Sequence, residues 1–512
     1  MSHPYHERML VPETTDHFLW IVMVGAFGSV FAAFGIGAND VANAFATSVG
    51  AKSLTLRQAV VLAGIFEFAG AVLLGAHVTN TIRSGIAKVE CFEDNPGILM
   101  YGNMCVVYST GVWLLLASYF ELPVSTTHAT IGGIIGMAMT YRGAGCVVWY
   151  ESRDTFPYVK GVSAVVASWF FSPFLSSIAA VVLFVIFRCF VLRSEHALSR
   201  SLIAFPVLVT LTVAVDVFFI IYKGAAGLGV DDTPISVAAA WALGLGGGVG
   251  LLMVVTVVPF MKHNIAAKFN EDGTLKPVRR AVSPHAGAAN QSTTTGIVGF
   301  VNRRLDQDIH ESAKTSTSVR SIHSSAEKFD PRTEEAFKYV QIFTAICDSF
   351  AHGANDVANA MGPFAAIYVV YTTGRVEEES SVGPDMFWIL SLGGLGIVAG
   401  LAVYGYKIIA AIGVKIAKIT PSRGFAIELG SAVTIIIGTR LGIPLSTTHC
   451  QVGATTGVAL LEGASGVNGV VLGKTVFGWI ITVLVCALTC SLLFAQGAYA
   501  PHAFDTIDIS EF

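Results

Sequence analysis

Long apolar runs separated by short polar turns dominate the chain. A run of about 20 apolar residues is long enough for a helix to cross a bilayer whose hydrocarbon core is about 30 Å thick. Because such runs recur along the whole sequence, we predict an all-α polytopic membrane protein. The pattern predicts twelve crossings, at 18–48, 58–80, 103–120, 125–141, 160–190, 204–222, 234–260, 338–370, 386–411, 424–440, 446–462 and 473–497. The crossings at 125–141 and 446–462 are short and could be re-entrant.

One long segment interrupts this pattern. Residues 261–337 are rich in Ser, Thr, Lys and Arg and show no apolar periodicity. Such a segment cannot bury enough apolar surface to order itself, so we predict a mobile loop between two halves. The first transmembrane half is 18–260 and the second is 338–497, with terminal tails at 1–17 and 498–512.

Lysine and arginine in the short turns predict the orientation. Basic residues cluster at three turns, and twelve crossings put all three on the side of the central loop. These turns lie at 52–57, 188–200 and 415–423. The positive-inside rule then places the loop in the cytosol and both termini outside. Cys91 and Cys146 fall in predicted loops on the outer side, where a disulfide between them could form.

Composition agrees with a membrane protein. The chain has 512 residues, of which 53% are hydrophobic and 13% are charged, whereas soluble domains carry about 25% charged residues. The formal net charge of −4 is small and indicates no particular class of charged partner. We therefore predict the lipid bilayer as a partner and no nucleic acid.

Two motifs occur twice, in the same order. The sequence GANDVANA stands at Gly37–Ala44 and at Gly353–Ala360, and ELPVSTTH at 121–128 returns as GIPLSTTH at 442–449. The distance from the aspartate to the serine is 85 residues in the first copy and 90 in the second. This spacing indicates an internal duplication. Seven predicted crossings precede the second copy, and an odd number inverts it. Inverted repeats with broken helices are typical of secondary transporters.

The STT triplets predict two helix starts. Each follows a proline by one intervening residue, and Ser and Thr are favoured helix N-caps. A helix start offers free backbone N–H groups and the positive end of the helix dipole, so it can bind an anion without lysine or arginine. The residues that could bind it are Ser125, Thr126, Thr127, Ser446, Thr447 and Thr448. Alternatively, these hydroxyls only cap or cross-link helices. We expect His128 and His449, which follow the triplets, to be hydrogen-bonded structural residues rather than pH sensors.

The GANDVANA segments predict cation chemistry. Two asparagines at i and i+4 flank an aspartate in each copy, and Gly35 and Gly37 permit a helix break in the first copy. No basic residue occurs in either motif, so a buried aspartate there must face a cation, a proton or a hydrogen-bond donor. Dihydrogen phosphate has two P–OH donors and sulfate has none at neutral pH. The residues concerned are Asn39, Asp40, Asn43, Asn355, Asp356 and Asn359. The alternative is a hydrogen-bonded cluster between helices with a purely structural role.

Four other acidic residues lie in predicted crossings. We expect Glu67 and Glu428 to coordinate a cation or relay a proton, and the alternative is a neutral acid with a hydroxyl partner. Asp216 and Asp348 have no counterpart in the other repeat, and we expect no functional role for them.

At these residues the sequence resembles the inorganic phosphate transporter (PiT) family, the type III sodium-dependent phosphate cotransporters. The motifs that carry the resemblance are GANDVANA twice, LPVSTTH, IPLSTTH, GIFEFAGAVLLGAHVTNTIRSGI and PSRGFAIELGSA. It implies a twelve-span inverted-repeat transporter that forms a homodimer. It also implies that phosphate binds between the STT helix starts and the Asn-Asp segments. Sodium would bind nearby as the coupling ion, at Asn39, Asp40, Glu67, Asn355, Asp356 and Glu428, with no other cofactor.

We therefore predict a secondary active transporter, not an enzyme, that imports monovalent phosphate with sodium by alternating access across the plasma membrane. A proton-coupled symporter and a related sulfate or metal–phosphate carrier are the alternatives. Three rivals from other classes are a hydrolase using Ser125, His128 and Asp40, an anion channel, and a phosphate sensor. A single nucleophile gains nothing from a duplicated site, and a channel needs no cation-seeking carboxylates.

Overall fold

A computed structural model of the chain describes residues 16–154, 158–222, 233–270, 273–276, 296–311, 315–376, 387–441, 443 and 445–505. This part of the chain is mostly α-helical. Its one strand pair is a short antiparallel hairpin of Glu151–Ser152 with Val159–Lys160.

The helices follow the predicted order. In the first half they are α1 (Leu19–Asn39), α2 (Ala42–Gly50), α3 (Leu56–Ser84), α4 (Pro96–Tyr119), α5 (Thr126–Arg142), α6 (Val162–Phe187), α7 (Ala197–Ile221), α8 (Ile235–Val255) and α9 (Val257–Lys268). Between the halves lie α10 (Gly296–Leu305) and α11 (Thr317–Ser325). In the second half they are α12 (Pro331–Thr373), α13 (Phe387–Tyr404), α14 (Tyr406–Ala410), α15 (Pro421–Arg440), α16 (Thr447–Leu460) and α17 (Gly469–Asp505).

Several of these helices can cross a membrane. Within the described residues, eight helical segments are long and apolar enough by length and composition. They are Leu19–Gly50, Leu56–Ala76, Pro96–Tyr119, Val162–Leu192, Ala197–Ile221, Ile235–Lys268, Phe387–Tyr404 and Gly469–Tyr499. The all-α polytopic class is confirmed, while the number of twelve crossings stays a prediction.

The two GANDVANA copies have different backbones. In the first copy the helix breaks at Asp40 and Val41, between α1 and α2, and the Asn43 N–H donates to the Asp40 carbonyl at 2.8 Å. In the second copy α12 runs without a break from Pro331 to Thr373. The duplicated sequence therefore supports one broken and one continuous helix.

The motif glycines serve helix packing. A Cβ atom on Gly37 would lie 1.7 Å from the Ile397 carbonyl oxygen of α13, and one on Gly353 would lie 2.2 Å from the Glu67 carbonyl oxygen of α3. No side chain fits at these distances, so glycine lets α1 approach α13 and α12 approach α3. Gly37 was expected to permit the break, but it lies within α1, and close packing is what requires it.

The segment between the halves contains helices. The crossing predicted to end at residue 260 continues as α9 to Lys268, α10 and α11 lie inside 261–337, and α12 begins at Pro331. Whether parts of the segment move stays a prediction.

Glu327, just after α11, connects the segment to both halves. Its carboxylate accepts hydrogen bonds from Arg188 and, at 2.9 Å, from Arg193, which lie at the end of the α6 segment. Its backbone carbonyl accepts one from Arg423 of α15, which also pairs with Glu462 at 2.6 Å.

A disulfide joins Cys91 to Cys146 with a Cα–Cα distance of 6.0 Å, within the usual range for such bonds. The disulfide that the predicted topology allowed is therefore present. Close to it, the backbone of Ala87 pairs with that of Val147. The bond links the turn before α4 to the turn after α5, both of which the predicted orientation puts outside.

We predict that Glu327→Gln loosens α11. The Arg193 guanidinium, together with Arg188, holds the pKa of the Glu327 carboxyl below its usual value. The ion pairs therefore stabilise this segment at neutral pH, and the contribution is lost as pH falls through the lowered pKa. For a partly exposed network we expect a loss of about 1 kcal/mol. This loss corresponds to about fivefold faster amide hydrogen exchange in α11.

The matched control is Glu195→Gln, which changes an exposed carboxyl close to Arg193 in sequence. It should leave exchange in α11 unchanged. Equal exchange in the wild type and in Glu327→Gln at neutral pH would show that these ion pairs do not hold α11, whereas after acidification the two proteins should become alike.

Candidate functional site

Two helix starts form one wall of the site. Ser125 caps α5 by accepting a hydrogen bond from the His128 N–H at 3.2 Å, and Ser446 caps α16 by accepting one from the His449 N–H at 3.3 Å. Both helix starts predicted from the STT triplets are confirmed. Because the first N–H groups of a helix lack partners within it, each start carries partial positive charge.

Asp40 lies at both helix starts. One of its carboxylate oxygens accepts from the Thr126 hydroxyl of α5 at 2.8 Å. The other oxygen lies 2.6 Å from the Thr448 hydroxyl and 3.1 Å from the Thr447 hydroxyl of α16. All four side chains are buried. The aspartate of the first copy therefore joins the STT triplets of both copies.

Asp356 and the motif asparagines make further contacts with the STT triplets. The Thr447 hydroxyl lies 3.0 Å from the Asp356 carboxylate. Asn359 donates to the Thr126 hydroxyl at 3.0 Å, and Asn43 donates to the Thr448 hydroxyl at 3.0 Å. Each asparagine thus bonds the triplet of the other copy.

Eight of the ten residues predicted to bind phosphate form one buried hydrogen-bonded network, and the capping Ser125 and Ser446 border it. The eight are Asp40, Asn43, Thr126, Thr127, Asp356, Asn359, Thr447 and Thr448. That these residues bind phosphate stays a prediction.

Asn39 points away from this network. Its amide donates to Ser118 and to the Leu122 carbonyl, each at 3.0 Å, and accepts from the Val124 N–H at 3.0 Å. Asn39 and Asn43 would share a face only in a continuous helix, because i and i+4 align there, but this helix breaks at Asp40. Asn39 fixes the chain that leads into the first STT triplet.

Asn355 occupies the matching position on the continuous α12. Its amide donates to the Asp356 carboxylate at 2.9 Å, and it accepts from the Thr439 hydroxyl at 3.2 Å. Roles for Asn39 and Asn355 as sodium ligands stay predictions.

His352 is a site residue that the sequence reasoning missed. Its Nε2 lies 2.8 Å from Asp356 and 3.7 Å from Asp40, and its Nδ1 lies 3.2 Å from Glu67. No basic residue occurs within either motif, but His352, directly before the second motif, is a basic partner of these acids. The signal was present in the sequence, since His352 precedes Asp356 by four residues and lies on the same face of a helix.

Glu67 and Glu428 are fully buried in two different settings. Glu67 accepts from Ser349 at 3.2 Å beside His352. Glu428 accepts hydrogen bonds from side chains of two other helices. These donors are Thr47 and Ser48 of α2 and Gln341 and Thr344 of α12. Because these partners lie on other helices, they could not be predicted from the sequence around either glutamate.

The histidines after the triplets pack as aromatic rings. The His128 and His449 ring centroids lie 4.7 Å apart, and His449 lies 3.7 Å from Trp479. Among the described residues their ring nitrogens have no hydrogen-bond partner. The expectation of hydrogen-bonded structural histidines is therefore wrong. The rings instead pack at the contact between α5 and α16.

The arrangement combines anion and cation chemistry in one buried place. Ligand atoms of Asp40, His352 and Asp356 lie within 4.8 Å of one another, close enough to hold a cation. Next to them are the two helix starts, which favour an anion. Oxygen ligands suit hard cations. A site of this kind can bind an anion and a cation together.

Comparison with known proteins identifies the chain. Residues 36–490 match the model of the phosphate transporter family. The chain belongs to this family. It is therefore a transporter and not an enzyme, which excludes the hydrolase.

Two relatives and one solved structure resemble this phosphate transporter over most of their length. A phosphate-repressible phosphate permease of Neurospora crassa is 31% identical, with 95% of this chain and 98% of the permease covered. Sodium-dependent phosphate transporter 2 of Felis catus is 29% identical, with 94% and 99% covered. The solved structure of a sodium-dependent phosphate transporter superposes with a TM-score of 0.70 at 30% identity, covering 93% of this chain and 98% of that one.

We predict that Thr448→Val destabilises the transporter. The change removes the hydrogen bond to the buried Asp40 carboxylate, and losing a bond to a charged group costs about 1.5–3 kcal/mol. The free energy of unfolding in detergent should fall by this amount. In a double-mutant cycle with Asp40→Asn, the two changes should be non-additive because they remove one shared contact.

Thr455→Val is the matched control on the same helix. Thr455 is equally buried, but its hydroxyl has no hydrogen-bond partner among the described residues. Its loss should therefore not destabilise the protein. If both valine variants were equally stable, the bond between Thr448 and Asp40 would contribute nothing.

Proposed function

We propose that the protein is a secondary active transporter that imports inorganic phosphate, as the monovalent dihydrogen ion, with sodium by alternating access. The observation that carries the proposal is the pair Asp40 and Asp356, which share the Thr447 hydroxyl at one helix start, while Asp40 also bonds the other start. Relatives named as sodium-dependent phosphate transporters support the choice of ions.

Phosphate would bind at the helix starts. The hydroxyls of Thr126, Thr127, Thr447 and Thr448 surround this place, and the amides of Asn43 and Asn359 also reach the triplets. An anion that bonds these donors would lie beside two aspartates. A carboxylate repels an anion unless the anion donates a hydrogen bond to it. Dihydrogen phosphate can donate and sulfate cannot, so we propose that sulfate is a poor substrate.

Sodium would offset the buried carboxylates. Asp40, Glu67, Asp356 and Glu428 are each 0% exposed, and a carboxylate in a membrane interior is costly unless a positive charge accompanies it. A hydroxyl oxygen lies within hydrogen-bond distance of each of the four carboxylates and could serve as a further cation ligand. One observation favours the alternative of proton coupling, because His352 lies between three of these acids and could carry a proton.

The proposed membrane topology has twelve crossings in two inverted repeats. Four further helices, each shorter or more polar than the eight apolar segments, would complete the twelve crossings. They are α5, α12, α15 and α16. Contacts between the halves are reciprocal, because the motif helix of each copy packs on the other half at a glycine, α1 on α13 and α12 on α3.

Backbone bridges support the inversion. Ala87 pairs with Val147 near the disulfide, whereas Ala417 pairs with Val467 near the Arg423–Glu462 ion pair. In the proposed topology the first bridge lies outside and the second lies in the cytosol.

A plasma membrane location and a homodimer complete the proposal. The Cys91–Cys146 disulfide favours a face in contact with an oxidising compartment, as the outer face of a plasma membrane would be. In the most apolar stretch of the Ile235–Lys268 segment, only 11% of the residues are buried within the chain. This leaves an apolar surface for lipid or for a second copy.

The central experiment measures uptake of labelled phosphate into proteoliposomes. We expect uptake to rise steeply with external sodium and to respond little to an imposed proton gradient at fixed pH. Choline replaces sodium as the control cation. Equal uptake in sodium and choline would refute sodium coupling, and stimulation by the proton gradient would then favour the proton-coupled alternative.

The same vesicles test the anion and the class of protein. Equimolar sulfate should compete poorly, and strong inhibition at neutral pH would refute selection through donated hydrogen bonds. Counterflow of labelled phosphate against unlabelled phosphate is expected of a carrier. Its absence would favour a channel, and the absence of any flux would favour a sensor.

We predict that Asp40→Asn and Asp356→Asn each abolish most sodium-coupled uptake. Each removes one negative charge that would accompany a cation, and both aspartates accept from the Thr447 hydroxyl at the start of α16. Asp94→Asn, at an exposed position, is the control and should retain uptake. Full transport by either core variant would show that the two copies do not form one shared site.

A further inference from the structure

The interface of α12 with α15 has a regular register. The Thr344 hydroxyl donates to Glu428 at 2.6 Å, and the Thr439 hydroxyl donates to Asn355 at 3.2 Å. Both pairs are separated by 84 residues in the sequence. A constant separation means that the two helices run parallel and that residue n of α12 faces residue n + 84 of α15.

Two buried oxygens lie without partners between these bonds. Asp348 of α12 is 3% exposed and Ser431 of α15 is 1% exposed. The Asp348 Oδ1 and the Ser431 Oγ have no hydrogen-bond partner among the described residues. The register places residue 432 opposite Asp348, so Ser431 lies within one residue of the same level. An unsatisfied buried polar group costs free energy, so two such oxygens at neighbouring levels of one interface favour a bound ligand.

The electrostatic surroundings of Asp348 indicate the charge of that ligand. Its carboxyl interacts with the acids of three neighbouring helices, and His352 is the one basic group among its main partners. The acids are Asp216 of α7, Glu67 of α3 and Glu428 of α15. A water molecule could bridge the two oxygens but would not offset the carboxylate charge. A monovalent cation does both.

We propose that Asp348 and Ser431 form a further sodium site, separate from the one at Asp40 and Asp356. This inference rests on the proposed sodium coupling. The site lies one helical turn beyond Thr344, between the Glu428 cluster and His352. Along α12, Gln341, Thr344, Asp348, His352 and Asp356 are spaced by three or four residues and follow one face. The new site therefore lies between the Glu428 cluster and the site at Asp40 and Asp356.

The site belongs to the second half alone. The position that corresponds to Asp348 in the first copy is Ala32, which cannot bind a cation through its side chain. The repeats therefore do not predict the site, and it requires α12 and α15 to pack in the observed register.

Sodium activation of phosphate uptake tests the proposal. Ser431→Ala and Asp348→Asn should each raise the sodium concentration for half-maximal uptake. Losing one oxygen ligand is expected to weaken binding by about two- to tenfold. Asp348→Asn should also lower the ratio of labelled sodium to labelled phosphate taken up. Phosphate affinity at saturating sodium should not change, because neither residue contacts the helix starts.

Thr434→Ala is the matched control. Its hydroxyl donates to the Gly430 carbonyl of its own helix at 2.8 Å, so its loss should not alter sodium activation. Ser431→Ala keeps the test valid if Asp348→Asn folds poorly.

Three results separate the possibilities. Unchanged half-maximal sodium and an unchanged ion ratio in both variants, with a sodium-dependent wild type, would overturn this site alone. A changed pH dependence with unchanged sodium activation would replace sodium by a proton and also overturn it. A wild type that takes up phosphate equally without sodium would refute the proposed function itself.

Discussion

The Thr447 hydroxyl lies within hydrogen-bond distance of both aspartates, at 3.1 Å from Asp40 and 3.0 Å from Asp356. This contact brings two carboxylates from distant parts of the chain to one helix start. A buried carboxylate is tolerated only where donors or cations surround it. The donors to Asp356 come from its own half, whereas Asp40 also accepts from Thr448 of the other half. The motif asparagine of each copy donates to the triplet of the other copy. The closed hydrogen-bond network therefore requires both halves to be assembled.

Much of this could be predicted from the sequence because the determinants are local. A Pro-x-Ser-Thr-Thr stretch specifies a helix start through its own capping hydroxyl, and two such stretches with two GANDVANA segments indicate a duplicated site. The contacts that could not be predicted depend on packing between helices. Glu428 finds its donors on α2 and α12. Asn39 points toward α4 because a two-residue break redirects the helix, and no period in the sequence marks that break.

The two copies share their motifs but differ in the ionisable residues around them. His352 of the second copy corresponds to Ile36 of the first, and Asp348 corresponds to Ala32. The first copy breaks its helix at the aspartate, whereas the second keeps it continuous. Charged groups therefore follow α12 for several turns, while the corresponding face of α1 is apolar. Sequence repeats reveal the shared part of a site, and the residues that differ between copies require the structure.

Charge balance links the two halves to coupling. The core encloses five carboxyls, at Asp40, Glu67, Asp348, Asp356 and Glu428, and His352 is the one buried basic group that contacts them in the described residues. Without bound cations these carboxyls would repel an incoming anion at the helix starts. In the proposed transporter, each sodium that binds would lower this repulsion, and the bound anion would in turn strengthen sodium binding, since coupling between two ligands is reciprocal. Cotransport would therefore follow from electrostatic interactions within one buried network and would need no separate coupling mechanism.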